Sequence, residues 1–451
     1  MDGYQSTSPT EICDQANGSA LDATFPPEAG SLPPQPGSEL RRVIENRNVR
    51  LGPAYGNSVP DILHAMREHL KMEVAFVSEF TRGRRVFRYV DSSWAKNPVR
   101  VGEGDPLEDS YCARVVDGRM PELMSDAKMN ACAAEMPVTF AIPVGAHMSV
   151  PIRLSDGSVY GTFCCFSRSA DSSLNLRDLN LMRVFAELAG KMIERERLID
   201  RNHHDIHDRT MQVLRGDTMN IVYQPIYDLE RAAIAGFESL ARFVSTPART
   251  PDRWFNDAHA VGLGVELEMM AIEHALQLLP HLGEGFDLGI NASPDTIVDP
   301  RFHQLLSGLE HVDRLVLEIT EHAAVDRYEE IAACLRPDRG RGLKIAVDDA
   351  GAGYASFRHI LNLEPDRIKL DMSLTRDIDI DPARRALAAA LIHFAADTGS
   401  TLVAEGVETA AEAATLIELG VAKAQGYFLG RPMALEALQR HGRLPTGAAN
   451  S

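Results

Sequence analysis

The segments Leu315-Val-Leu-Glu-Ile-Thr and Lys344-Ile-Ala-Val-Asp-Asp decide the fold of the second half of the chain. Each is a short aliphatic run that carries an acidic residue: Glu318 in the first, and Asp348 and Asp349 in the second. Such a run is typical of a strand that is buried on both faces of a parallel sheet, and the stretch between the two is long enough for a helix. The pair therefore predicts repeated strand–helix units.

Six further runs of this kind occur in order: Ile221-Val-Tyr-Gln-Pro-Ile, Ala235-Gly-Phe-Glu-Ser-Leu, Phe286-Asp-Leu-Gly-Ile-Asn, Arg367-Ile-Lys-Leu-Asp, Thr401-Leu-Val-Ala-Glu and Ala424-Gln-Gly-Tyr-Phe-Leu. Eight strands with helical segments between most of them predict an α/β fold, a TIM-type (β/α)8 barrel. Only Tyr227 to Ile234 separates the first two runs, which is too short for a parallel crossover. We therefore expect one hairpin within the barrel.

Polar side chains recur where these strands end: Glu238, Asn291, Glu318, Asp348, Asp349, Lys369, Glu405 and Gln425. The carboxyl ends of barrel strands meet on one face, so we expect these groups to converge there. Carboxylate and amide oxygens are the ligands that Mg²⁺ or Mn²⁺ prefers, and the adjacent pair Asp348 and Asp349 suits two metals about 3.5–4 Å apart. Lys369 would place a cation near the attacking water or the charge that develops at phosphorus. Any one carboxylate is more simply a strand-end cap, but the set predicts two-metal hydrolysis of a phosphodiester.

Residues 216–440 also resemble the EAL-domain family of cyclic-di-GMP phosphodiesterases. The motifs that carry the resemblance are Tyr223-Gln-Pro-Ile, Glu238-Ser-Leu-Ala-Arg242, Asn291-Ala-Ser, Glu318-Ile-Thr-Glu321, Asp348-Asp-Ala-Gly-Ala-Gly-Tyr354, Pro365-Asp-Arg-Ile-Lys369-Leu-Asp371, Ala404-Glu-Gly-Val-Glu408-Thr and Gln425-Gly-Tyr-Phe. The resemblance implies an enzyme that hydrolyses cyclic-di-GMP to linear pGpG with two divalent cations, Mg²⁺ or Mn²⁺.

The same resemblance implies a role for each site residue. The first metal would be held by Glu238, Asn291, Glu318 and Asp348, and the second metal with its water by Asp349 and Glu405. Lys369 would orient or activate that water, Glu408 and Gln425 would support the site, and Glu321 would fix the loop after Asp349. Substrate contacts are implied for Gln224, Leu240 and Arg242.

Three positions depart from the family pattern. Ser239 stands where the family name motif has Ala, and its small side chain leaves the preceding carboxylate free to bind a metal. Ala350 and Ala352 stand where the family usually has Phe and Thr, in a loop that is thought to couple dimerisation to metal binding. We expect retained activity with altered regulation or a lower basal rate.

Two other functions compete with this interpretation. A catalytically silent barrel could serve as a cyclic-di-GMP receptor or as a dimeric interaction platform, but such proteins typically lose metal-binding carboxylates or the lysine. A glycosidase barrel also uses paired carboxylates. The acidic pair Asp348 and Asp349, together with Asn291 and Lys369, suits metal-assisted phosphoryl chemistry better.

The first part of the chain predicts a disordered tail over residues 1–38 and a sensor domain over 39–190. The tail is rich in Pro, Gly, Ser and Thr. An amphipathic helix beginning at Val59 and four strand-like runs indicate an α+β domain; the runs are Val74-Ala-Phe-Val-Ser, Arg85-Val-Phe-Arg-Tyr-Val, His147-Met-Ser-Val-Pro-Ile and Val159-Tyr-Gly-Thr-Phe-Cys-Cys-Phe.

Three segments of this region resemble a GAF domain. The first runs from Pro106 to Pro121 and begins Pro106-Leu-Glu-Asp-Ser-Tyr-Cys112; the other two are Ser149-Val-Pro-Ile and Gly161-Thr-Phe-Cys-Cys-Phe. The resemblance implies a module that senses a small molecule, a redox change or a chromophore, with an unknown ligand. Cys112 is interpreted as a small buried hydrophobe, with a sensor thiol as the alternative.

A helical linker is predicted over 191–215, before a barrel domain over 216–445. Met182, Phe185, Ala189, Met192 and Ile199 follow heptad steps. The stripe indicates either a helix packed on its own domain or a short parallel coiled coil, and we favour the coiled coil, which predicts a homodimer. Two histidines in the linker, at 203 and 207, have metal-ligand spacing, but a solvated helix face is the simpler interpretation.

Composition limits the possible partners and compartments. The net charge of −18 leaves no broad basic surface for DNA or for an anionic membrane. Six cysteines without a disulfide framework or CxxC spacing favour a reduced, cytoplasmic environment. The sequence shows neither a signal peptide nor a long apolar segment, so we expect a cytoplasmic protein that binds no membrane.

Overall fold

The computed structural model describes residues 58–216, 218–245, 248–319, 327–350 and 354–440, without the side chains of 349, 354–357 and 359. The predicted disordered tail lies outside the described residues. The chain divides into two compact units, and the boundary along the sequence lies between Arg195 and Glu196. No helix in the described ranges is both long enough and apolar enough to cross a membrane.

The first unit is built on six strands: β1 (Val74–Thr81), β2 (Arg84–Ser92), β3 (Gly104–Pro106), β4 (Leu123–Met124), β5 (His147–Arg153) and β6 (Val159–Phe166). Its helices are α1 (Val59–Leu70), α2 (Tyr111–Val116), α3 (Ala131–Ala134), α4 (Val138–Ala141) and α5 (Leu176–Arg215), the last of which continues into the second unit. The strands form one antiparallel sheet in the order β3-β2-β1-β6-β5-β4. The predicted α+β domain and its four strand-like runs are confirmed.

The sheet separates two apolar cores because alternate side chains of a strand point to opposite faces. Ala75 and Val77 pack with α1 and the first half of α5. Val74 and Phe76 pack on the other face, with α2 and the loops around it.

The heptad stripe on α5 indicated either packing on its own domain or a coiled coil, and the first half of the helix packs on its own domain. Met182, Phe185 and Ala189 are buried in the core that α1 and the sheet share. The coiled-coil interpretation is therefore wrong for these three residues, because their own domain already covers them. Leu198 and Ile199, farther along, are 66% and 46% exposed.

The second unit contains eight strands: β7 (Met219–Asp228), β8 (Ala233–Phe243), β9 (Asp287–Ala292), β10 (Leu315–Ile319), β11 (Lys344–Ala350), β12 (Arg367–Leu370), β13 (Thr401–Ala404) and β14 (Lys423–Ala424). Its further helices are α6 (Pro251–Ala260), α7 (Gly264–Ala275), α8 (Pro294–Val298), α9 (Pro300–Ser307), α10 (Tyr328–Gly340), α11 (Tyr354–Leu363), α12 (Met372–Thr375), α13 (Pro382–Asp397), α14 (Ala410–Glu418) and α15 (Leu435–Arg440).

These strands close into the predicted barrel in the order β10-β11-β12-β13-β14-β7-β8-β9. The expected hairpin is confirmed, since β7 pairs antiparallel with β8, and it also pairs antiparallel with β14. The other neighbouring pairs are parallel. All strands except β7 therefore point their carboxyl ends to the same face.

The last strand is shorter than predicted. Strand β14 ends at Ala424, whereas the predicted run continued to Leu429. The backbone N–H of Gln425 still donates to the Ala404 carbonyl at 2.8 Å, but the chain then turns, with Gly426 at a φ of +159°. A Cβ at Gly426 would lie 2.2 Å from the backbone of Val407, so only glycine fits this close approach.

Candidate active site

Strand register brings the predicted side chains to one end of the barrel. Glu318 on β10 pairs with Asn291 on β9, and Gln224 on β7 pairs with Glu238 on β8. Lys369 lies near the end of β12, and Glu405 directly follows β13, its N–H bonded to the Leu370 carbonyl at 3.1 Å. The convergence of these side chains thus follows from the register of neighbouring strands.

The Lys369 ammonium is the centre of this cluster. Its Nζ lies 2.6 Å from Glu318, 2.7 Å from Glu405, 3.0 Å from Glu238 and 3.2 Å from Asp348. The lysine side chain is only 3% exposed, and those of Glu238 and Glu318 are 7% and 2% exposed. Four carboxylates therefore share one cation away from bulk water. We call this group the Lys369 cluster.

Burial and mutual repulsion perturb the acids of the Lys369 cluster. Burial, with the charges of Glu238 and Asp348, raises the pKa of Glu318 well above its usual range despite the nearby ammonium. Burial likewise raises the pKa of Glu405 to about 8. For Glu238, the attraction of Lys369 and a hydrogen bond from Gln425 outweigh burial and lower the pKa. The four carboxylates raise the pKa of Lys369 in spite of its burial, so the lysine stays charged.

Gln425 completes the group from the turn after β14. Its Nε2 donates to Glu238 Oε2 at 2.5 Å and to Glu405 Oε1 at 2.9 Å. Its Oε1 is buried and has no hydrogen-bond partner among the described residues. The amide thus holds two carboxylates in place and leaves one oxygen free to accept.

The donor set fits a hard divalent cation. Every potential ligand is an oxygen, and the pocket holds four carboxylates for one ammonium, so it has negative charge to offer. The buried, unpartnered Gln425 Oε1 adds a neutral oxygen that could act as a metal ligand. Within the described ranges, no three His, Cys, Asp or Glu side chains are arranged by themselves as a metal site, and the carboxylates face Lys369 instead.

The predicted substrate residues lie beside the cluster on β7 and β8. Leu240 and Arg242 follow Glu238 at alternate positions, so all three lie on the same face of β8. Arg242 is exposed and donates to the Ala241 carbonyl at 2.8 Å. Gln224 is buried and donates to the Gly430 carbonyl at 3.2 Å.

Glu408 lies apart from the Lys369 cluster, and two further predicted residues cannot be placed in or out of it because their side chains are not among those described. Glu408 is exposed and forms an ion pair with Arg376. Asp349 belongs to β11, but its side chain lies outside the description, and Glu321 lies outside the described residues altogether. Two alanines stand where the family usually has Phe and Thr. Ala350 is fully buried in the barrel core, and Ala352 is not among the described residues.

Gly289 is a site residue that the motif reasoning missed. A Cβ at this position of β9 would lie 2.5 Å from Glu318 Oε1, so the absence of a side chain makes room for that carboxylate. The Ser239 hydroxyl donates to the Gly289 carbonyl at 2.7 Å. The serine that stands where the family motif has alanine therefore makes a hydrogen bond that alanine could not make. A glycine inside a strand signals a close approach, and that signal was present in the sequence.

Comparison with protein families matches residues 207–432 to the EAL domain and residues 59–194 to the GAF domain. The chain belongs to the EAL-domain family. The Lys369 cluster therefore lies in the EAL domain, and the antiparallel sheet of the first unit lies in the GAF domain.

Curated relatives share the EAL domain with this chain. The probable cyclic di-GMP phosphodiesterase PdeI of Escherichia coli is 32% identical over 238 residues, covering 50% of this chain and 30% of the relative. The cyclic di-GMP phosphodiesterase PdeF of E. coli is 29% identical over 272 residues, covering 58% and 34%. The chain thus spans about a third of the length of these relatives. The EAL enzyme Bd1971, solved with cAMP and cyclic-di-GMP, has a similar fold at 18% identity and a TM-score of 0.52, covering 82% of this chain and 93% of that one.

Proposed function

We propose that this chain is a sensor-regulated, metal-dependent phosphodiesterase that hydrolyses cyclic-di-GMP to linear pGpG. The observation that supports this most directly is the Lys369 cluster, in which one buried ammonium faces four carboxylates carried by or directly following strands of the barrel. The relatives that share the EAL domain are named for the same substrate.

Six residues would hold two divalent cations: Glu238, Asn291, Glu318 and Asp348 for the first, and Asp349 and Glu405 for the second. Bound cations would neutralise phosphate charge and lower the pKa of a water molecule. Either Mg²⁺ or Mn²⁺ suits an all-oxygen donor set.

The protein's own groups account for the remaining chemistry. Lys369 keeps its charge in the buried pocket, so it can hold the attacking water by a hydrogen bond and stabilise negative charge that develops on the phosphate. Gln425 fixes two carboxylates through its amide hydrogens. Arg242, exposed on the same face of β8 as Glu238, suits a phosphate of the substrate because a guanidinium binds phosphate through paired hydrogen bonds. Gln224 and Leu240 complete the proposed substrate surface.

The proposed domain boundaries remain those of the sequence: a GAF domain over 39–190, a helical linker over 191–215 and an EAL domain over 216–445. We also propose a homodimer, with the exposed Leu198 and Ile199 of α5 available for a partner helix. Light scattering of the full chain measures the stoichiometry, and a strictly monomeric protein would exclude the dimer.

Activity is tested with the full chain, cyclic-di-GMP and either Mg²⁺ or Mn²⁺, with products separated by chromatography. We expect pGpG, no turnover in EDTA, and no turnover by Glu238→Ala, with circular dichroism showing that this variant is still folded. The matched control is Glu310→Ala, because this carboxylate is exposed on the same barrel. Tight substrate binding without pGpG would favour the receptor function instead.

Regulation by the GAF domain requires a separate measurement. The phosphodiesterase rate of the full chain is compared with that of a chain beginning near Arg215. A difference between the two rates, of either sign, is expected, and equal rates would contradict regulation.

A further inference from the structure

Two cysteine thiols are in contact in the core on one face of the GAF sheet. Cys112 on α2 and Cys164 on β6 are both fully buried, and their Sγ atoms lie 3.4 Å apart. A disulfide bond is about 2.05 Å long, so an approach of about 1.4 Å would join them. Cys165, the next residue of β6, packs in the core on the opposite face.

The surroundings of Cys112 are not those of a purely apolar residue. Arg85, which is only 7% exposed, donates from Nη1 to Cys112 Sγ at 3.2 Å. Asp105 binds the other side of the same guanidinium, at 2.5 and 3.0 Å. Burial raises the pKa of the Cys112 thiol, but the hydrogen bond from Cys164 and the charge of Arg85 outweigh it and bring the pKa to about 5. The charge of Arg85 thus favours the thiolate, which is the nucleophilic form of the residue.

Cys164 is suited to the complementary role. Burial and the contact with Cys112 raise its pKa, so it keeps its proton. Its Sγ lies 2.9 Å from the Ser149 hydroxyl and 3.2 Å from that of Thr162, which hold it beside the Cys112 sulfur. A thiolate and a thiol in contact have the arrangement of an attacking and a resolving cysteine.

A cavity of about 220 Å³ adjoins this pair. Arg85, Tyr111, His147 and Phe166 are among its lining residues, and Arg85 also contacts Cys112, so the cavity ends one side chain away from the sulfur. His147 is buried, and its Nδ1 has no hydrogen-bond partner in the described part of the chain. The cavity beside the cysteine pair is therefore lined by polar as well as apolar side chains.

We propose that Cys112 and Cys164 form a dithiol that a hydroperoxide oxidises to a disulfide. The Cys112 thiolate attacks the peroxide, so an S–O bond forms, the O–O bond breaks and the alkoxide leaves, taking a proton from solvent. Cys164 then attacks the Cys112 sulfenic acid, forming the S–S bond and releasing hydroxide, which takes the Cys164 proton and becomes water. The two sulfurs are oxidised by two electrons in total, and the peroxide is reduced to an alcohol and water. This chemistry belongs to the GAF domain and does not depend on the proposed activity of the barrel.

The test uses the folded full chain and hydrogen peroxide at equimolar concentration, followed by intact mass and peptide mapping after alkylation. We expect a loss of about 2 Da, a peptide pair joined through Cys112 and Cys164, and full reversal by dithiothreitol. Cys164→Ser should stop at a sulfenic acid on Cys112 that dimedone traps. Cys112→Ser should give neither product.

Two control variants separate this pair from general thiol oxidation. Cys165→Ala removes the neighbouring buried thiol and Cys132→Ser a partly exposed one, and both should form the bond at the wild-type rate. Circular dichroism confirms that each variant is folded. Three outcomes would overturn the proposal: an unchanged mass in the folded wild type, a disulfide to any other cysteine, or equal oxidation of folded Cys112→Ser.

Discussion

Replacing Lys369 by methionine tests whether one buried ammonium holds the acids of the EAL domain together. The substitution keeps a long, unbranched side chain and removes its charge. Glu238, Glu318, Asp348 and Glu405 all lie within 3.2 Å of the ammonium, and the lysine is 3% exposed. The variant therefore leaves four acids in a buried pocket without their shared cation.

The expected cost follows from this geometry. Removing one partner of a buried ion pair costs about 3–5 kcal/mol, because the remaining charge is left uncompensated. For a domain of this size each kcal/mol lowers the melting temperature by roughly 2–4 °C, so the metal-free variant should melt roughly 6–20 °C below the wild type. Proton uptake by the acids will bring the loss toward the lower end of that range.

The assay is thermal unfolding in EDTA and again with Mg²⁺ or Mn²⁺, combined with phosphodiesterase rates. Divalent cations should restore more stability to Lys369→Met than to the wild type, since they replace the lost positive charge. Activity should fall at least about 100-fold even with metal present, because the group proposed to contact the attacking water and the phosphate is gone.

Lys423→Met is the matched control, since it removes the same side chain from the same barrel. The charge balance around Lys423 is the opposite, because three basic residues, Lys344, Arg367 and Lys423, pair with the carboxylate of Asp287. Loss of Lys423 should leave the melting temperature nearly unchanged. If metal-free Lys369→Met also melts within about 2 °C of the wild type, Lys369 does not compensate the buried acids and the reasoning fails.

Two further predictions concern Gly289 and the pair formed by His259 and Glu268. Gly289→Ala should lower phosphodiesterase activity about 100-fold, because its Cβ would displace the Glu318 carboxylate by roughly 1 Å. Gly308→Ala is the control and should keep its activity, since a Cβ there has ordinary contacts of 3.5 Å or more. Equal rates for the two variants would refute the packing argument. The hydrogen bond from His259 to Glu268, 2.8 Å long, raises the pKa of His259, so its stabilisation is complete below the unfolded pKa of about 6.5 and is lost as the pH rises through the higher folded value. Chemical unfolding should therefore show His259→Gln to be destabilised by about 1 kcal/mol more at pH 6 than at pH 8.5, and a pH-independent difference would contradict the assignment.

The barrel itself was predictable because its signals are local. Short aliphatic runs, the lengths between them and the brief segment before Ile234 specify strands, crossovers and one hairpin without reference to distant residues. Parallel pairing then places the side chains at the strand ends on one face, so the convergence of Glu238, Glu318 and Glu405 near Lys369 could also be predicted.

Two predictions reached beyond what local patterns contain. An apolar stripe shows that a helix is covered but not what covers it, and Met182 and Phe185 of α5 are covered by their own domain. Glu408 follows a strand as Glu405 does, yet its carboxylate turns outward to Arg376, a partner that spacing does not reveal.

The sequence by itself determined the two domains, the strand order of the barrel and the identity of the groups near Lys369, because periodicity and motifs are properties of neighbouring residues. Only the tertiary structure decided how those groups share charge, and which small residues make room for them. Glu318 reaches Lys369 because Gly289, on the adjacent strand, has no Cβ. Cys112 meets Arg85 and Cys164 because a helix and two strands, distant along the chain, pack into one core. Burial and distance set these charges and contacts, and both arise only when the chain is folded.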